Sequence, residues 1–215
     1  VLDKGSVVLA NTSSTSNNAI DVYATDLLDI KGSSGNNIIN VSFNNSNTNF
    51  SSFQGKSNYY SVSLIGADLL SSSTNQISTG GNININAAKI RVLNAGEIRS
   101  VSFSNFGGTA GNINIDAQDI FVEGTNNDGL LTSAINSSTG INSNGNSGNL
   151  DISTSVLRVE NGGRVKADTF GAGEGGEINL KAEQIFLDGK NSNSSTSNPN
   201  RFRTGLFVST GKNPG

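Results

Sequence analysis

The residues of this chain best suited to chemistry are a few carboxylates, arginines and phenylalanines that return at matching places in short apolar segments. Glu123, Glu160 and Asp188 close the segments IFVE, LRVE and IFLD. If those segments stack, the three carboxylates come about 5 Å apart and repel unless a cation or a basic side chain lies between them. Glu123, Glu160 and Asp188 are therefore the candidate metal ligands, with calcium the ion that oxygen donors suit. The chain has no GGxGxD loop of the calcium-binding β-roll type, so a screened surface column near a turn is the alternative. Arg91, Phe121, Arg158 and Phe186 fall on the polar side of the same alternation and are the candidate binding residues. Such a row suits stacking against a carbohydrate or contact with a protein. The other reading places it beneath the segment from Lys190 to Arg203, which carries Phe202, since exposed aromatic patches are uncommon on soluble monomers.

Catalysis finds little to work with. Hydrolysis of a glycosidic bond needs two carboxylates facing each other across it. Asp151 instead aligns with Asn84, Asn114 and Asn179, and Asp116 and Asp119 fall in other rows. The chain has no Cys and no His, which removes thiolate chemistry, thiolate zinc sites and the commonest general base. The glycines from Gly171 to Gly176 lead into a strand without the Lys-Ser/Thr and helix start of a phosphate cradle. The chain reads as a non-enzyme that needs no cofactor.

What positions these residues is a repeat. GGNININAAKIRVLNAGEIRS, from Gly80, returns from Gly111, Gly148 and Gly176, at intervals of 28 to 37 residues. Each copy predicts three short strands by period-two alternation. The first carries Ile83/Ile85, Ile113/Ile115, Leu150/Ile152 and Ile178/Leu180, and the second Ile90/Val92, Ile120/Val122, Leu157/Val159 and Ile185/Leu187. Small residues, Ala87, Ala117, Thr154 and Ala182, fall at the bend between them. Alignment on Gly96, Gly129, Gly163 and Gly205 gives a third strand that turns Ile98, Leu131, Val165 and Phe207 inward, then Ser100, Ser133, Ala167 and Ser209.

Stacked coils of this kind predict an all-β fold, a right-handed parallel β-helix of about six coils of three short strands with loop insertions. The span 1–79 reads as irregular coils, and 80–215 as four clear repeats starting at 80, 111, 148 and 176, all in one segment of a larger protein. Ile20, Val22 and Ala24, then Leu28 and Ile30, repeat the first two strands with one extra residue at the bend, and Ile39 and Val41 supply a third. Tyr60, Val62 and Leu64, then Leu69 or Leu70 and Ile77, make the next coil, and Val7 to Leu9 the tail of a preceding one. Insertions are expected at Asn44–Asn58, Ser104–Ala110, Asn136–Ser147 and Lys190–Arg203. Asn82 over Asn112 over Asn149, and Asn84 over Asn114, predict amide ladders along the stack.

Only 33% of the 215 residues are hydrophobic and 6% aromatic, which is thin for a globular domain, and the β-branched periodicity argues against disorder of the whole chain. The 33 Asn outnumber the 31 charged residues. A formal charge of −3 offers no electrostatic footprint for nucleic acid, and no apolar run approaches a membrane span, so neither nucleic acid nor membrane insertion is expected.

The stretch from Gly148 to Gly189 resembles the repeats of cyanobacterial filamentous haemagglutinin-like exoproteins, whose signature is GGxIxLxAxxIxLxxGxxIxAxTFGxGxGG. Asp168-Thr169-Phe170-Gly171-Ala172-Gly173-Glu174-Gly175-Gly176 is its most specific piece. The resemblance covers Gly80 to Gly215 well and Val1 to Thr79 loosely. It implies a secreted, extracellular adhesin of the bacterial cell surface, exported by the two-partner route through an outer-membrane β-barrel transporter. It further implies a structural or adhesive stalk whose loops meet a cell-surface protein or glycan. The family's export domain carries NPNL- and NPNGI-type motifs, and Asn198-Pro199-Asn200-Arg201 reads here as a turn inside a late insertion. The alternatives on the same fold are a polysaccharide lyase or hydrolase and a carbohydrate-binding module.

Overall fold

The computed structural model describes residues 7–9, 20–31, 64–66, 80–102, 108–125, 131–140, 143–189 and 203–211. Eleven strands follow one another: β1 (Val7–Leu9), β2 (Ile20–Lys31), β3 (Leu64–Gly66), β4 (Ile83–Leu93), β5 (Glu97–Ser102), β6 (Ile113–Glu123), β7 (Ala134–Thr139), β8 (Leu150–Glu160), β9 (Arg164–Thr169), β10 (Ile178–Asp188) and β11 (Gly205–Ser209). Among the described residues there is no helix, and none is long and apolar enough to cross a membrane.

The strands sort by parity into two sheets. Even strands form one in the order β10-β8-β6-β4-β2, odd strands the other in the order β1-β3-β5-β7-β9-β11, and every pairing is parallel. The chain thus crosses from one sheet to the other after each strand and returns one strand further on. Neither sheet closes on itself.

The two short strands expected at the start of each repeat are one continuous strand of 11 residues. Its hydrogen-bond register runs through the bend and omits a single residue in each copy, Ala88, Gln118, Ser155 or Glu183. One unpaired residue lets the pleat change direction without breaking the ladder. Thr154 stands in for alanine at the inner side of that corner, and its hydroxyl is satisfied by donation to the Gln118 carbonyl at 3.0 Å. Along β4 to β8 the alternation expected from the sequence holds. Ile83, Ile113 and Leu150 lie over one another, as do Ile90, Ile120 and Leu157, and all six are fully buried.

In β2 the register passes from Ala24 opposite Ala87 to Leu27 opposite Lys89, so two residues span what one spans in β4. That is the extra residue at the bend read from the sequence. Val7–Leu9 likewise precedes the other strands at one edge of the odd-numbered sheet. The coil proposed for Tyr60 to Ile77 is corrected: Leu64 belongs to β3, which pairs with β1 and β5 in the odd-numbered sheet, while β2 pairs directly with β4. Among the described residues the span from Ile20 to Gly66 therefore supplies one strand to each sheet, β2 and β3. Ile39, Val41, Tyr60, Val62, Leu69, Leu70 and Ile77 lie outside the described residues.

The third-strand alignment also shifts. Ile98 pairs with Ile135, Ile135 with Val165, and Val165 with Leu206, so Ile135 and Leu206 hold the inward positions expected for Leu131 and Phe207. Gly129 lies outside the described residues. In the second repeat this displacement accompanies an antiparallel bridge between Thr125 and Thr132, just ahead of β7.

The expected insertion at Asn136–Ser147 overlaps β7, in which Asn136 to Thr139 are buried. Within this polar run the Ser137 hydroxyl has backbone partners on both sides, whereas Asn136 Oδ1 and Thr139 Oγ1 are buried without a hydrogen-bond partner. Ser137 Oγ donates to the Gly111 carbonyl at 3.0 Å and accepts from Gly148 N–H at 2.8 Å. Ser100 Oγ does the same one repeat earlier, with the Gly81 carbonyl at 3.2 Å and Gly111 N–H at 2.8 Å. A buried hydroxyl that both donates and accepts carries no desolvation penalty left unanswered.

Candidate functional site

The outward face of the even-numbered sheet brings the four predicted binding residues into one row. Arg91 lies opposite Phe121, Phe121 opposite Arg158, and Arg158 opposite Phe186. Cross-strand spacing puts successive members about 4.8 Å apart. Arg158 Cζ sits 4.8 Å from the centroid of the Phe186 ring, within cation-π range. Phe186 is 43% exposed, Arg158 is exposed, and Arg91 and Phe121 are half-buried. The row is open to a ligand at its Arg158–Phe186 end. Residues 190–202 of the segment expected to cover it, Phe202 among them, lie outside the described residues.

The carboxylate column also stands in register, with Glu123 opposite Glu160 and Glu160 opposite Asp188. Asn161 donates its side-chain amide to Glu123 Oε1 at 2.7 Å, a contact that the repeat alignment did not show. Among the described residues no group of three or more acidic side chains gathers closely enough to hold a metal ion.

The asparagine rows work in two different ways. Asn82, Asn112 and Asn149 each turn the side-chain carbonyl to the backbone N–H of the next strand, at 2.9, 2.9 and 3.0 Å. Asn84 and Asn114 make a side-chain ladder: Asn114 donates to Asn84 Oδ1 at 2.7 Å, and Asn84 to Asp21 Oδ1 at 2.7 Å. Asn179 donates in the same direction to Asp151 Oδ1 at 3.0 Å. A carboxylate only accepts, so the ladder's direction is broken between Asn114 and Asp151. A shallow trough of about 400 Å³ lies over this row between Tyr23 and Lys181. It offers acceptors to hydroxyls, but Asp151 faces Asn114 and Asn179 while Asp116 faces Asn86 and Ser153, so no two carboxylates oppose each other there.

The glycine-rich signature has a structural account. An ideal Cβ on Gly171 would fall 1.6 Å from the Ser143 carbonyl oxygen, and one on Gly173 2.1 Å from that of Gly145. Ala172 N–H donates to the Ser143 carbonyl at 3.0 Å and Thr169 Oγ1 to the Glu174 carbonyl at 2.6 Å. The loop is a lid of backbone on the loop below it, with no room for a phosphate.

The outward face of the odd-numbered sheet holds a cluster not singled out in the sequence. Arg99 Nη1 pairs with Glu97 Oε2 at 3.2 Å, Ser209 Oγ donates to Asp168 Oδ1 at 3.0 Å, and Arg164 Nε donates to the Arg203 carbonyl at 3.1 Å. Lys166 Nζ lies 5.9 Å from the Phe170 ring centroid. Burial pulls the Lys166 ammonium below its ordinary value of 10.5, against Glu97 and Asp168, which hold it up, while Arg164 and Arg99 add to the depression. Alternation places Lys166 outward, but only the burial of its neighbours Ser138 and Asp168 reveals that this face is covered.

The sign of the pH effect follows from that depression. Between the folded-state value and 10.5 the unfolded chain binds the Lys166 proton and the folded chain does not, so this group's contribution to stability rises with pH through that window. Lys166→Met removes a half-buried ammonium and keeps most of the packing. It is expected to raise the melting temperature near neutral pH, with the gain shrinking as pH approaches the lysine range. A gain independent of pH in parallel thermal melts would show that Lys166 titrates normally.

No family model, curated protein or solved structure matches the chain.

Proposed function

We propose that the chain is a right-handed parallel β-helical segment of an exported bacterial surface protein, non-catalytic, whose task is to extend and to display a contact strip to a cell-surface glycan or protein. The observation that carries this reading is the row Arg91–Phe121–Arg158–Phe186, built by residue-for-residue stacking and open at its last two members. Alternation of the chain between two parallel sheets supports the coil, and the usual hand of parallel crossovers supports its sense. Secretion by the two-partner route rests on the resemblance of Gly148 to Gly189 to haemagglutinin-like repeats. Rings and guanidinium groups in one line suit the apolar faces and hydroxyls of a sugar chain.

Glycan-array binding tests the strip. Phe186→Ala and Phe121→Ala together are expected to weaken binding at least tenfold, about 1.4 kcal/mol, without lowering the melting temperature by more than a few degrees. Unchanged binding would remove the strip from the reading, and shortening of a polysaccharide by the protein would end the non-catalytic assignment.

A further inference from the structure

One outward position of the even-numbered sheet is filled at a cost to the fold. Ahead of the corner two outward rows cross the five strands: Asp21, Asn84, Asn114, Asp151 and Asn179 in one, Tyr23, Asn86, Asp116, Ser153 and Lys181 in the other. In the first row every side-chain amide donates one strand back, Asn84 to Asp21, Asn114 to Asn84 and Asn179 to Asp151. Asn114 therefore turns its carbonyl toward Asp151, and a carboxylate has no proton to give it. Asparagine at this place would join the two halves into one ladder, the arrangement that stacked amides favour. Asp151 instead leaves acceptors facing acceptors in the middle of the sheet, with the Asp116 carboxylate diagonally beside them.

This is the floor of the trough that runs between Tyr23 and Lys181, and it continues into a polar recess of about 540 Å³ bounded by Asn86, Asp116, Gln118, Ser153, Ser155 and Glu183. Tyr23 stands at one end with its ring 83% exposed, the most exposed large hydrophobic side chain among the described residues. Surplus acceptors, an uncovered ring and the carboxylates of Asp116 and Asp151 suit a ligand that brings hydroxyl donors and an apolar face but no negative charge. The spacing suits it too. Each strand presents the same pair of positions about 4.8 Å beyond the last, a step close to that of one ring in an extended sugar chain.

We propose that the trough binds a neutral, extended, β-linked saccharide chain lying along the stack. One ring rests against Tyr23, and hydroxyls of the following rings donate to Asn114 Oδ1 and to the carboxylates of Asp151 and Asp116. Four strand steps span about 19 Å, the length of about four rings. Asp151 is the residue that sets the ligand class, because a hydroxyl donating to a carboxylate makes a stronger bond than one donating to an amide. The ligand contact gains what the amide ladder loses. The trough precedes the corner of each strand and the Arg–Phe row follows it, so this site stands apart from that row and fails on different variants.

Isothermal titration with neutral hexaoses of β-linked glucose, mannose and xylose tests the site. At least one of the three is expected to bind, with affinity rising from its dimer to its tetramer and levelling at the hexamer. Asp151→Asn is expected to weaken that binding at least about tenfold, while its melting temperature stays level or rises because the amide completes the ladder. Tyr23→Ala is expected to weaken binding about tenfold with the melting temperature unchanged. Failure of all three hexaoses, equal binding of a uronate hexaose, or wild-type binding by Asp151→Asn overturns the proposal. So does a fall in the melting temperature of Asp151→Asn, which would make Asp151 a structural residue. Calcium titrated without sugar is expected to give no heat; binding of calcium that Asp151→Asn abolishes would turn the trough into an ion site and overturn the saccharide assignment.

Discussion

Gly148→Ala is expected to prevent folding or to lower stability by several kcal/mol, a large part of the roughly 5–15 kcal/mol that a typical domain possesses. An ideal Cβ at this position would stand 2.2 Å from the Gly111 carbonyl oxygen, 2.5 Å from its carbon and 2.9 Å from Ser137 Oγ. The first two are backbone atoms of the adjacent strand's entry, so relief requires the two layers to separate. Separation breaks the bonds from Gly148 N–H to Ser137 Oγ and from Ser137 Oγ to the Gly111 carbonyl. Gly111 and Gly176 meet the same obstacle, at 2.2 Å from the Gly81 and 2.1 Å from the Gly148 carbonyl oxygen. The glycines that open each repeat are thus a column of close contacts. Gly189→Ala provides the comparison, since a Cβ there meets nothing within 4 Å. Thermal melts of the two variants within a few degrees of each other would show that the layers stand further apart.

Ile115→Asn is expected to cost about 3–5 kcal/mol, because it removes a buried branched side chain and encloses an amide without partners. Ile115 is 3% exposed and lies between Ile85 and Ile152 in the row of the even-numbered sheet. Its neighbours Asn114 and Asp116 are exposed, so a register slip of one residue would exchange the faces. Urea unfolding measures the cost. A midpoint near that of the wild type would mean that Ile115 faces solvent and that the register is wrong by one.

How much of this was legible in the sequence depends on what marks a strand. β2, β4, β6, β8 and β10 announce themselves by alternating branched aliphatics with Asn and Asp, and even the extra residue at the bend of β2 is readable. Because the rows follow from that register, so do the Arg–Phe strip and the column of Glu123, Glu160 and Asp188. β7 carries no such mark. Its sequence AINSST has one large apolar residue, and its interior Ser137 is stabilised by glycine backbone in neighbouring layers, which no local pattern encodes. Alignment on glycine was a poor guide to the odd-numbered sheet: in the register Gly96 and Gly163 share their place with Ser133, which donates its hydroxyl to the Glu123 carbonyl. The covered ion cluster around Lys166 was hidden because burial of an outward face depends on what lies over it.

Both sheets join their strands by hydrogen bonds directed along the stack, and each strand touches chiefly the strand before and the strand after it. Under tension applied along that direction at the β11 end, such bonds are loaded in succession rather than in parallel. The chain then yields by peeling one repeat at a time, and each repeat released adds the contour length of its own 28 to 37 residues. In the stalk role proposed above, extension is therefore dissipative: the chain lengthens in steps and absorbs work while the layers still folded keep the Arg–Phe row exposed.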